Sequence, residues 1–278
     1  MKKFKPTSPG RRNMSVIEHK KTLTTSKPEK SLTRGRKRAV GRNSAGRITT
    51  RHKGGGVKRR YREIDFKYDK HDIPAKVATI EYDPNRNAYI GVLNYSDGEK
   101  RYTVVPQKIK VGDEILVSEN AKIKLGNRLP LSKMPVGTYV YNVELKPNNG
   151  AKLIRSAGTY AEVVAQDGDM VHLKMPSTEI RKIRSNSWAS IGEVSNPEFR
   201  LRNYGKAGLK RKLGIRPTVR GSVMNPVDHP HGGGEGKQGI GLRRGPKTRQ
   251  GKLAYGVKTR RPKKYSNANI LKRRKTKR

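Results

Sequence analysis

The 278-residue chain contains no cysteine, and its 22 aspartates and glutamates are far outnumbered by 65 lysines and arginines. Without cysteine, neither a disulfide framework nor a thiolate metal site is possible, which fits a reducing compartment. No apolar run approaches the roughly 20 residues of a membrane span, and the lysines between Met1 and Pro9 are not followed by an apolar stretch. These absences predict a soluble protein that is not exported.

The excess of basic residues leaves a formal net charge of +43 at pH 7. Self-repulsion of this size opposes a compact state unless anions neutralise it. Few partners other than a nucleic acid offer phosphates at the necessary density. The composition therefore predicts a protein that works among phosphates.

The charge is distributed unevenly along the chain. Residues 1–59 carry 19 basic and 2 acidic side chains, residues 60–199 carry 21 and 18, and residues 200–278 carry 25 and 2. Large apolar residues follow the opposite distribution, so only the middle has the composition of a sizeable core. We predict a folded centre between a basic N-terminal extension, 1–59, and a basic, glycine-rich C-terminal extension, 200–278.

The first part of the centre, residues 60–125, has the period-two alternation of β-strands and little helical periodicity. Its predicted strands are Tyr61 to Phe66, Ala75 to Tyr82, Ala88 to Tyr95, Lys100 to Val105 and Glu114 to Ser118. Asp97-Gly98 supplies the positive φ that a tight hairpin turn needs. Five short strands with glycine and proline turns predict a small closed barrel of the oligonucleotide-binding (OB) type.

The second part, residues 126–199, shows the same alternation. Its predicted strands are Gly137 to Leu145, Gly158 to Ala165, Met170 to Met175 and Glu179 to Ile183, with a hairpin turn at Asp167-Gly168. This predicts a second small barrel, of SH3-like size. Units of about seventy residues are near the lower limit for independent stability, so we expect the two barrels to pack together, joined by a linker near Lys124 to Met134.

The two extensions lack this alternation and are predicted to be long, extended basic arms. Glycine occupies 13 positions of the C-terminal arm, which lets backbone approach a surface without side-chain obstruction. Such arms are suited to threading between RNA helices. For the last segment, Lys272 to Arg278, disordered cationic low complexity is an equal alternative.

Three motifs carry a resemblance to a known family. They are Arg51-His52-Lys53-Gly54-Gly55-Gly56, Gly126-Asn127-Arg128-Leu129-Pro130-Leu131, and the stretch from Gly221 through Asn225, Asp228, His229 and His231 to Gly236. The third is long enough to be specific, and the match covers essentially the whole chain. The sequence resembles the universal large-subunit ribosomal protein two family, the bacterial L-two type.

This resemblance implies an OB barrel followed by an SH3-like barrel, with the terminal extensions buried in large-subunit (23S-type) rRNA. It implies roles in subunit association, tRNA binding and support of the peptidyl-transferase centre. The implied partners are large-subunit rRNA, neighbouring ribosomal proteins, the small subunit across the interface and, indirectly, tRNA. It implies no membrane, no homo-oligomer and no cofactor, and a cytoplasmic location in the large ribosomal subunit.

Lysine and arginine side chains are the predicted means of RNA binding, through phosphate neutralisation and recognition of RNA shape. Arg86 and Arg155 stand out because both are predicted at turns held by flanking strands, and by resemblance both fall in the family's RNA-binding core. The alternative for each is a solvated surface arginine. The predicted RNA-binding residues are Arg51, His52, Lys53, Lys58, Arg59, Arg60, Lys67, Lys70, Arg86, Arg155, Arg216, Arg220, Asn225, Asp228, His229, His231, Arg243, Arg244, Lys247 and Arg249.

Aromatic side chains of the centre offer a second means of binding, by stacking on unpaired bases. The candidates are Tyr68, Tyr82, Tyr89, Tyr95, Tyr102 and Trp188. Alternation places several of them on the same face as valine and isoleucine, so the favoured interpretation for most is a core position.

The segment around His229 is the place to look for chemistry, because Asp228, His229 and His231 lie beside a glycine run. A zinc site is disfavoured, since only Asp228 and Glu235 could add ligands to the two imidazoles. A general base needs a positioned substrate and an orienting partner, and neither is visible. Resemblance ties His229 to peptidyl transfer, but as a support for RNA-catalysed chemistry, so we predict no catalytic residue and no metal.

Two other functions stay open from the residues alone. A general nucleic-acid compactor would bind duplex DNA and RNA alike through a repetitive basic tail, whereas these arms are not repetitive. An enzyme acting on RNA would bring acidic, basic or metal-binding groups together, and the arms hold only four acids: Glu18, Glu29, Asp228 and Glu235. A ribosomal structural protein is the favoured prediction.

Overall fold

A computed structural model describes residues 1–274 of the chain. This part is mainly β, with two short α-helices and five 3₁₀ turns, as the alternation predicts. The strands are β1 (Lys2–Lys3), β2 (Ser15–Val16), β3 (Thr33–Gly35), β4 (Arg60–Arg62), β5 (Ala75–Glu81), β6 (Ile90–Tyr95), β7 (Lys100–Val104), β8 (Glu114–Ile115), β9 (Arg128–Pro130), β10 (Tyr139–Tyr141), β11 (Val143–Glu144), β12 (Ala151–Leu153), β13 (Ala161–Asp167), β14 (Met170–Lys174), β15 (Ile180–Arg184), β16 (Trp188–Ile191) and β17 (Ile270–Lys272). The helices are α1 (Pro9–Arg12) and α2 (Ala207–Lys212), and the 3₁₀ turns are His19–Lys21, Leu131–Lys133, Pro197–Leu201, Gly221–Val223 and Tyr265–Asn267.

The chain packs into two units, which we name the core unit and the arm unit. Residues 1–37 and 58–206, together with the described residues from 266 onward, form the core unit. Residues 38–57 and 207–265 form the arm unit. The predicted division at residues 59, 125 and 199 stays a prediction. No helix within residues 1–274 is long and apolar enough to cross a membrane.

The first sheet of the core unit is antiparallel, in the order β7-β6-β5-β8. Its central hairpin turns at Gly98, whose φ of +87° is the conformation that glycine adopts at low cost. The strand predicted at Tyr61 to Phe66 is shorter than expected: β4 ends at Arg62. The carboxylate of Asp65 accepts the backbone N–H groups of Lys67 and Tyr68 at 2.8 and 3.0 Å, which bends the chain into a turn.

The second sheet has seven strands in the order β17-β15-β14-β13-β10-β16-β9. The strand predicted at Gly137 to Leu145 is divided into β10 and β11 by Asn142, which adopts a φ of +48°. The predicted linker near Lys124 to Met134 is wrong, because β9 lies within it and pairs with β16. Leu129, Leu131 and Met134 are buried there, so apolar packing governs this segment.

One hydrophobic cluster joins the two sheets, as expected for barrels too small to be stable alone. It contains Val104 from the first sheet and Ala88 just before β6, with Val140 and Leu173 from the second sheet. Backbone pairing continues the contact, since the N–H of Gln107 donates to the carbonyl of Glu193 at 2.7 Å. The expectation that the two barrels pack on each other is confirmed.

Part of the N-terminal extension also lies on the core. Leu23 packs against the cluster under β5, and Leu32 packs against the cluster around Tyr102. The backbone N–H of Glu29 donates to the Tyr102 hydroxyl at 2.8 Å. At the other end of the chain, Lys272 pairs with Ile180 in the second sheet. The remainder of the predicted low-complexity segment lies mostly outside the described residues, which end at 274.

Candidate nucleic-acid interface

The two arginines singled out in the sequence meet at one aromatic ring. The guanidinium carbon of Arg155 lies 4.3 Å from the centroid of Phe66, and that of Arg86 lies 5.6 Å from the same centroid. Cation–π contact holds each planar group in place while its N–H edges stay available to an anion. We name these three residues the Phe66 cluster.

Two backbone segments position the cluster. In the turn after β5, the buried carboxylate of Asp83 accepts the Arg86 Nε–H at 2.5 Å. On the other side, the N–H of Ala151 donates to the carbonyl of Phe66 at 2.7 Å, and Arg155 Nη1 donates to the carbonyl of Ala151 at 3.3 Å. Because strands hold both segments, the two guanidinium groups are ordered before any ligand binds.

Further basic residues lie against the same turn. Arg59 Nη1 donates to the carbonyl of Pro84 at 2.8 Å, and the carbonyl of Arg60 accepts from the Asn85 amide at 2.8 Å. These bonds anchor the segment before β4 beside the Phe66 cluster. Four predicted residues, Arg59, Arg60, Arg86 and Arg155, thus share one part of the core unit.

Not every predicted cation is equally available to phosphate. The ammonium of Lys70 pairs with Asp97, and with Glu99 at 2.5 Å, and lies 4.9 Å from the centroid of the Tyr95 ring. Hydrogen bonds to Asp97 and then Glu99 raise the pKa of Lys70. A phosphate at Lys70 would have to displace two carboxylates, whereas the neighbouring Lys67 is exposed.

Five of the six aromatic candidates are buried, which confirms the core interpretation for them. Tyr68, Tyr89, Tyr95, Tyr102 and Trp188 are all at most 9% exposed. Tyr82 is 40% exposed and contacts His19 edge to face, with ring centroids 5.1 Å apart. Among the six, Tyr82 alone exposes a large part of its ring, and base stacking there stays a prediction.

In the arm unit, the first motif pairs with the segment after α2. The carbonyl of His52 accepts the N–H of Arg216 at 3.0 Å, and the N–H of Gly54 donates to the carbonyl of Gly214 at 2.8 Å. Lys53 forms a β-bridge with Ile215. This pairing gathers predicted cations from two segments about 160 residues apart in sequence.

Close backbone contact explains Gly56 of this motif but not its neighbour Gly55. Gly56 has a φ of +65°, and a Cβ atom built there would lie 2.6 Å from the carbonyl oxygen of Lys212. A side chain would therefore force the two segments apart. At Gly55 a Cβ atom would meet nothing within 4 Å.

The third motif folds into a loop that orders both of its histidines. His229 Nδ1 accepts the backbone N–H of His231 at 3.0 Å, and His231 Nε2 accepts that of Lys247 at 2.8 Å. Desolvation, helped by the charges of His231, Arg51 and Arg249, lowers the pKa of His229. A Cβ atom at Gly221 would lie 2.4 Å from His229 Nδ1, so the imidazole needs a glycine there.

The hydrogen bonds of this loop bear on metal binding. One ring nitrogen of each histidine already accepts a backbone N–H, so that lone pair is not directed at a common point. Within residues 1–274, no three histidine, aspartate or glutamate side chains converge as metal ligands. Asp228 instead lies 3.8 Å from Arg249, which is the contact of a structural ion pair.

The predicted RNA-binding residues differ in exposure. The exposed ones are Arg51, Lys53, Lys58, Arg60, Lys67, Arg155, Arg216, Arg220, Asn225, Asp228, Arg243, Arg244 and Arg249. The half-buried ones are His52, Arg59, Lys70, Arg86, His229, His231 and Lys247. Sequence reasoning missed Phe66, and no local pattern could have found it, because the ring joins residues from three separate segments.

Of the two units, the arm unit has the higher net positive charge per residue. It holds 21 lysines and arginines against two acids, Asp228 and Glu235. Repulsion among these charges opposes its compact form in water, and a polyanion would relieve it.

Two models of protein families match the chain. Residues 29–117 match "Ribosomal Proteins L2, RNA binding N-terminal domain". Residues 124–251 match "Ribosomal Proteins L2, C-terminal domain". Together the matches include the Phe66 cluster, the paired glycine motif and the histidine loop.

Proposed function

Because this chain belongs to the family of ribosomal proteins L2, we propose that the Phe66 cluster and the arm unit together bind large-subunit rRNA through phosphate and shape contacts. The family is a structural, non-enzymatic component of the ribosome, and the chain is a large-subunit rRNA-binding protein. What the proposal adds is a mode of binding and a set of residues.

In the proposed mode of binding, the two units make different contributions. Lysines and arginines of the arm unit neutralise phosphates and release counterions, which supplies affinity that falls with salt. The Phe66 cluster presents two ordered guanidinium groups, each able to fork onto two phosphate oxygens at a fixed spacing. A fixed spacing discriminates among RNA shapes, which a flexible cationic tail does not do.

One observation carries this proposal: Arg86, in the turn after β5, and Arg155, in the segment after β12, are held at the same ring. A solvated surface arginine has no need of such ordering. Both guanidinium groups also have few carboxylate neighbours. Within residues 1–274, Arg86 forms an ion pair with Asp83, and Arg155 forms none. This geometry supports the proposal of an anion site at the two arginines.

The remaining roles follow from the family and belong to the same proposal. We propose that the bound protein supports subunit association, tRNA binding and the peptidyl-transferase centre, and that it contacts neighbouring ribosomal proteins and the small subunit, in the cytoplasm. His229, positioned in an ordered loop, would support the RNA of that centre by shape and hydrogen bonding.

The test is binding of the full-length protein to large-subunit rRNA, to a scrambled RNA and to duplex DNA across a salt series. We expect affinity for the cognate RNA to persist at salt concentrations where the other two are released. If all three affinities fall along one steep line, the binding is unspecific and the compactor function replaces ours.

A further inference from the structure

A cavity of 370 Å³ opens in the core unit between the segment after Phe66 and the β11–β12 hairpin. Tyr68, Trp188 and the exposed His71 line it, and the ring centroids of His71 and Trp188 are 5.0 Å apart at an interplanar angle of 54°. Pockets for small ligands occupy roughly 300–1,000 Å³. At this distance the two rings pack against each other, and together they form one aromatic wall that suits a small, flat ligand with a π-system.

The floor of the cavity is rigid. Arg128, only 1% exposed, donates from Nη2 to Glu144 Oε1 at 3.0 Å. Glu144 Oε2 accepts the backbone N–H of Asn148 at 3.1 Å and that of Trp188 at 3.3 Å. One buried carboxylate therefore ties the β11–β12 hairpin to β16, so the two walls keep their separation without a ligand.

The polar groups at the opening suit the edge of a nucleobase. The side-chain amides of Asn148 and Asn149 are exposed and make no hydrogen bond to any other described residue. An asparagine amide offers a donor and an acceptor side by side, which is the pairing that an adenine edge accepts. Asp69 also lines the cavity, but its carboxylate pairs with Arg101.

The cavity adjoins the proposed RNA face. Lys67, which is exposed and lines the opening, directly follows Phe66 in the chain. A strand of RNA whose phosphates contact Arg86 and Arg155 would pass beside this opening. Proteins recognise single-stranded RNA by splaying bases out against aromatic side chains while cations hold the backbone.

We propose that this cavity binds one unpaired nucleobase of the rRNA. The base packs against Trp188 and His71, its polar edge meets Asn148 and Asn149, and its phosphate meets Lys67. This inference rests on the proposed function, because the Phe66 cluster brings the RNA to the opening.

Trp188 is the only tryptophan of the chain, so its fluorescence reports on the cavity directly. We would titrate the full-length protein with large-subunit rRNA and follow Trp188 emission alongside filter retention of the complex. The expected result is quenching that saturates at the same RNA concentration as retention. Duplex DNA, bound at low salt, should leave the emission unchanged because its bases are stacked.

The double variant Asn148→Ala/Asn149→Ala removes the polar edge without touching the core. We expect about tenfold weaker binding of the rRNA, the size of one lost bidentate base contact, and weaker quenching at saturating RNA. Asn94→Ala is the matched control, since Asn94 is an exposed asparagine of β6 away from the cavity. It should bind and quench like the unmodified protein.

Three results would decide against the inference or its basis. Selective rRNA binding with unchanged Trp188 emission and an unaffected double variant would overturn the cavity site and leave the proposed function intact. Quenching by free AMP, GMP, CMP or UMP at lower concentration than by rRNA would assign the cavity to a free nucleotide instead. If the unmodified protein does not bind rRNA selectively, both the cavity site and the proposed function are overturned.

Discussion

Arg86 and Arg155 differ in how much of their role depends on folding. The Arg86 guanidinium contacts the fully buried carboxylate of Asp83, so its removal leaves a buried charge with one partner fewer. Arg155 is exposed, its guanidinium lies over the Phe66 ring, and its Nη1 donates to the backbone carbonyl of Ala151. Arg155 is therefore the cleaner probe of RNA binding.

We expect Arg155→Ala to weaken binding of large-subunit rRNA about tenfold, or about 1.4 kcal/mol, with little change in the unfolding temperature. Arg155→Lys should recover less than half of this loss in free energy, because lysine keeps the charge but neither forks nor stacks. Filter binding with thermal unfolding measures both. Lys152→Ala, at an exposed position of β12, is the control. Equal effects at 152 and 155 would contradict a special role for the Phe66 cluster.

The carboxylates around Lys70 and Arg101 give the core a pH dependence. Hydrogen bonds from these cations lower the pKa values of Asp69, Asp97 and Glu99. A carboxylate whose folded pKa is lowered binds more protons when unfolded, so stability rises with pH through that range. The contribution is complete above the ordinary carboxylate range, near pH 4, and is lost as the pH falls through the lower, folded values.

Lys70→Met should flatten this dependence. With the ammonium removed, Asp97 and Glu99 titrate closer to their unfolded range, and the urea midpoint should change less between about pH 5 and pH 2. Lys76→Met is the matched control, since it removes a lysine whose Nζ lies 3.6 Å from Glu114 in an exposed pair. Parallel curves for the unmodified protein and Lys70→Met would refute the assignment.

At the scale of elements, the paired glycine motif is the most sensitive point of the arm unit. Gly56→Ala places a Cβ atom against the Lys212 carbonyl at a positive φ, which costs upwards of about 1 kcal/mol. We expect at least fivefold weaker rRNA binding, with the core unit unaffected. Gly55→Ala, where a Cβ atom meets open space, should bind normally. Titration of both variants with rRNA compares them, and similar affinities would show that the pairing is not required.

Short-range turn chemistry is what the sequence predicts best in this fold. The hairpins at Gly98 and Gly168 occur as expected, both with positive φ, because the turn and its flanking alternation are local signals. The break at Asn142 and the strand β9 were missed for the opposite reason. Both depend on residues distant in sequence: β9 pairs with β16 about sixty residues later, and Asn142 donates from Nδ2 to the Tyr68 hydroxyl at 2.7 Å.

The residue types of the candidate site could be predicted from the sequence, but their arrangement in space could not. Arginines at turns and glycines beside cations indicate phosphate contact from composition and spacing alone. That Arg86 and Arg155 meet at Phe66, and that carboxylates engage Lys70, depends on contacts between segments that are distant in sequence. Glu144, which holds the cavity walls, looks like any charged strand residue until its burial is seen.

At the scale of the whole molecule, the uneven charge predicts that the core unit and the arm unit differ in stability. The core unit has a continuous apolar cluster and 20 acids beside its 44 lysines and arginines, whereas the arm unit has 21 basic residues against two acids. We expect the core unit to fold without RNA and the arm unit to gain its order from phosphates.

Amide hydrogen exchange measures this difference directly. In RNA-free protein at low salt, the amides of Gly54, Val57 and Arg216, which bond across the paired motif, should exchange far faster than those of β6. Added rRNA should slow exchange of the first group of amides by at least tenfold and leave the exchange rates of the β6 amides unchanged. Equal protection of both groups without RNA would show that the arm unit is stable despite its charge.

The pairing of β17 with β15 means that this edge of the second sheet stays uncovered during part of synthesis. Ile270 follows Arg184 by 86 residues, so β15 is synthesised long before β17. At roughly 5–20 residues per second, that interval lasts about 4–17 seconds. During it, β15 is an open sheet edge, able to pair with the wrong chain. Three of its five residues, Arg181, Lys182 and Arg184, are basic, and their charges repel other nascent copies until β17 covers the edge.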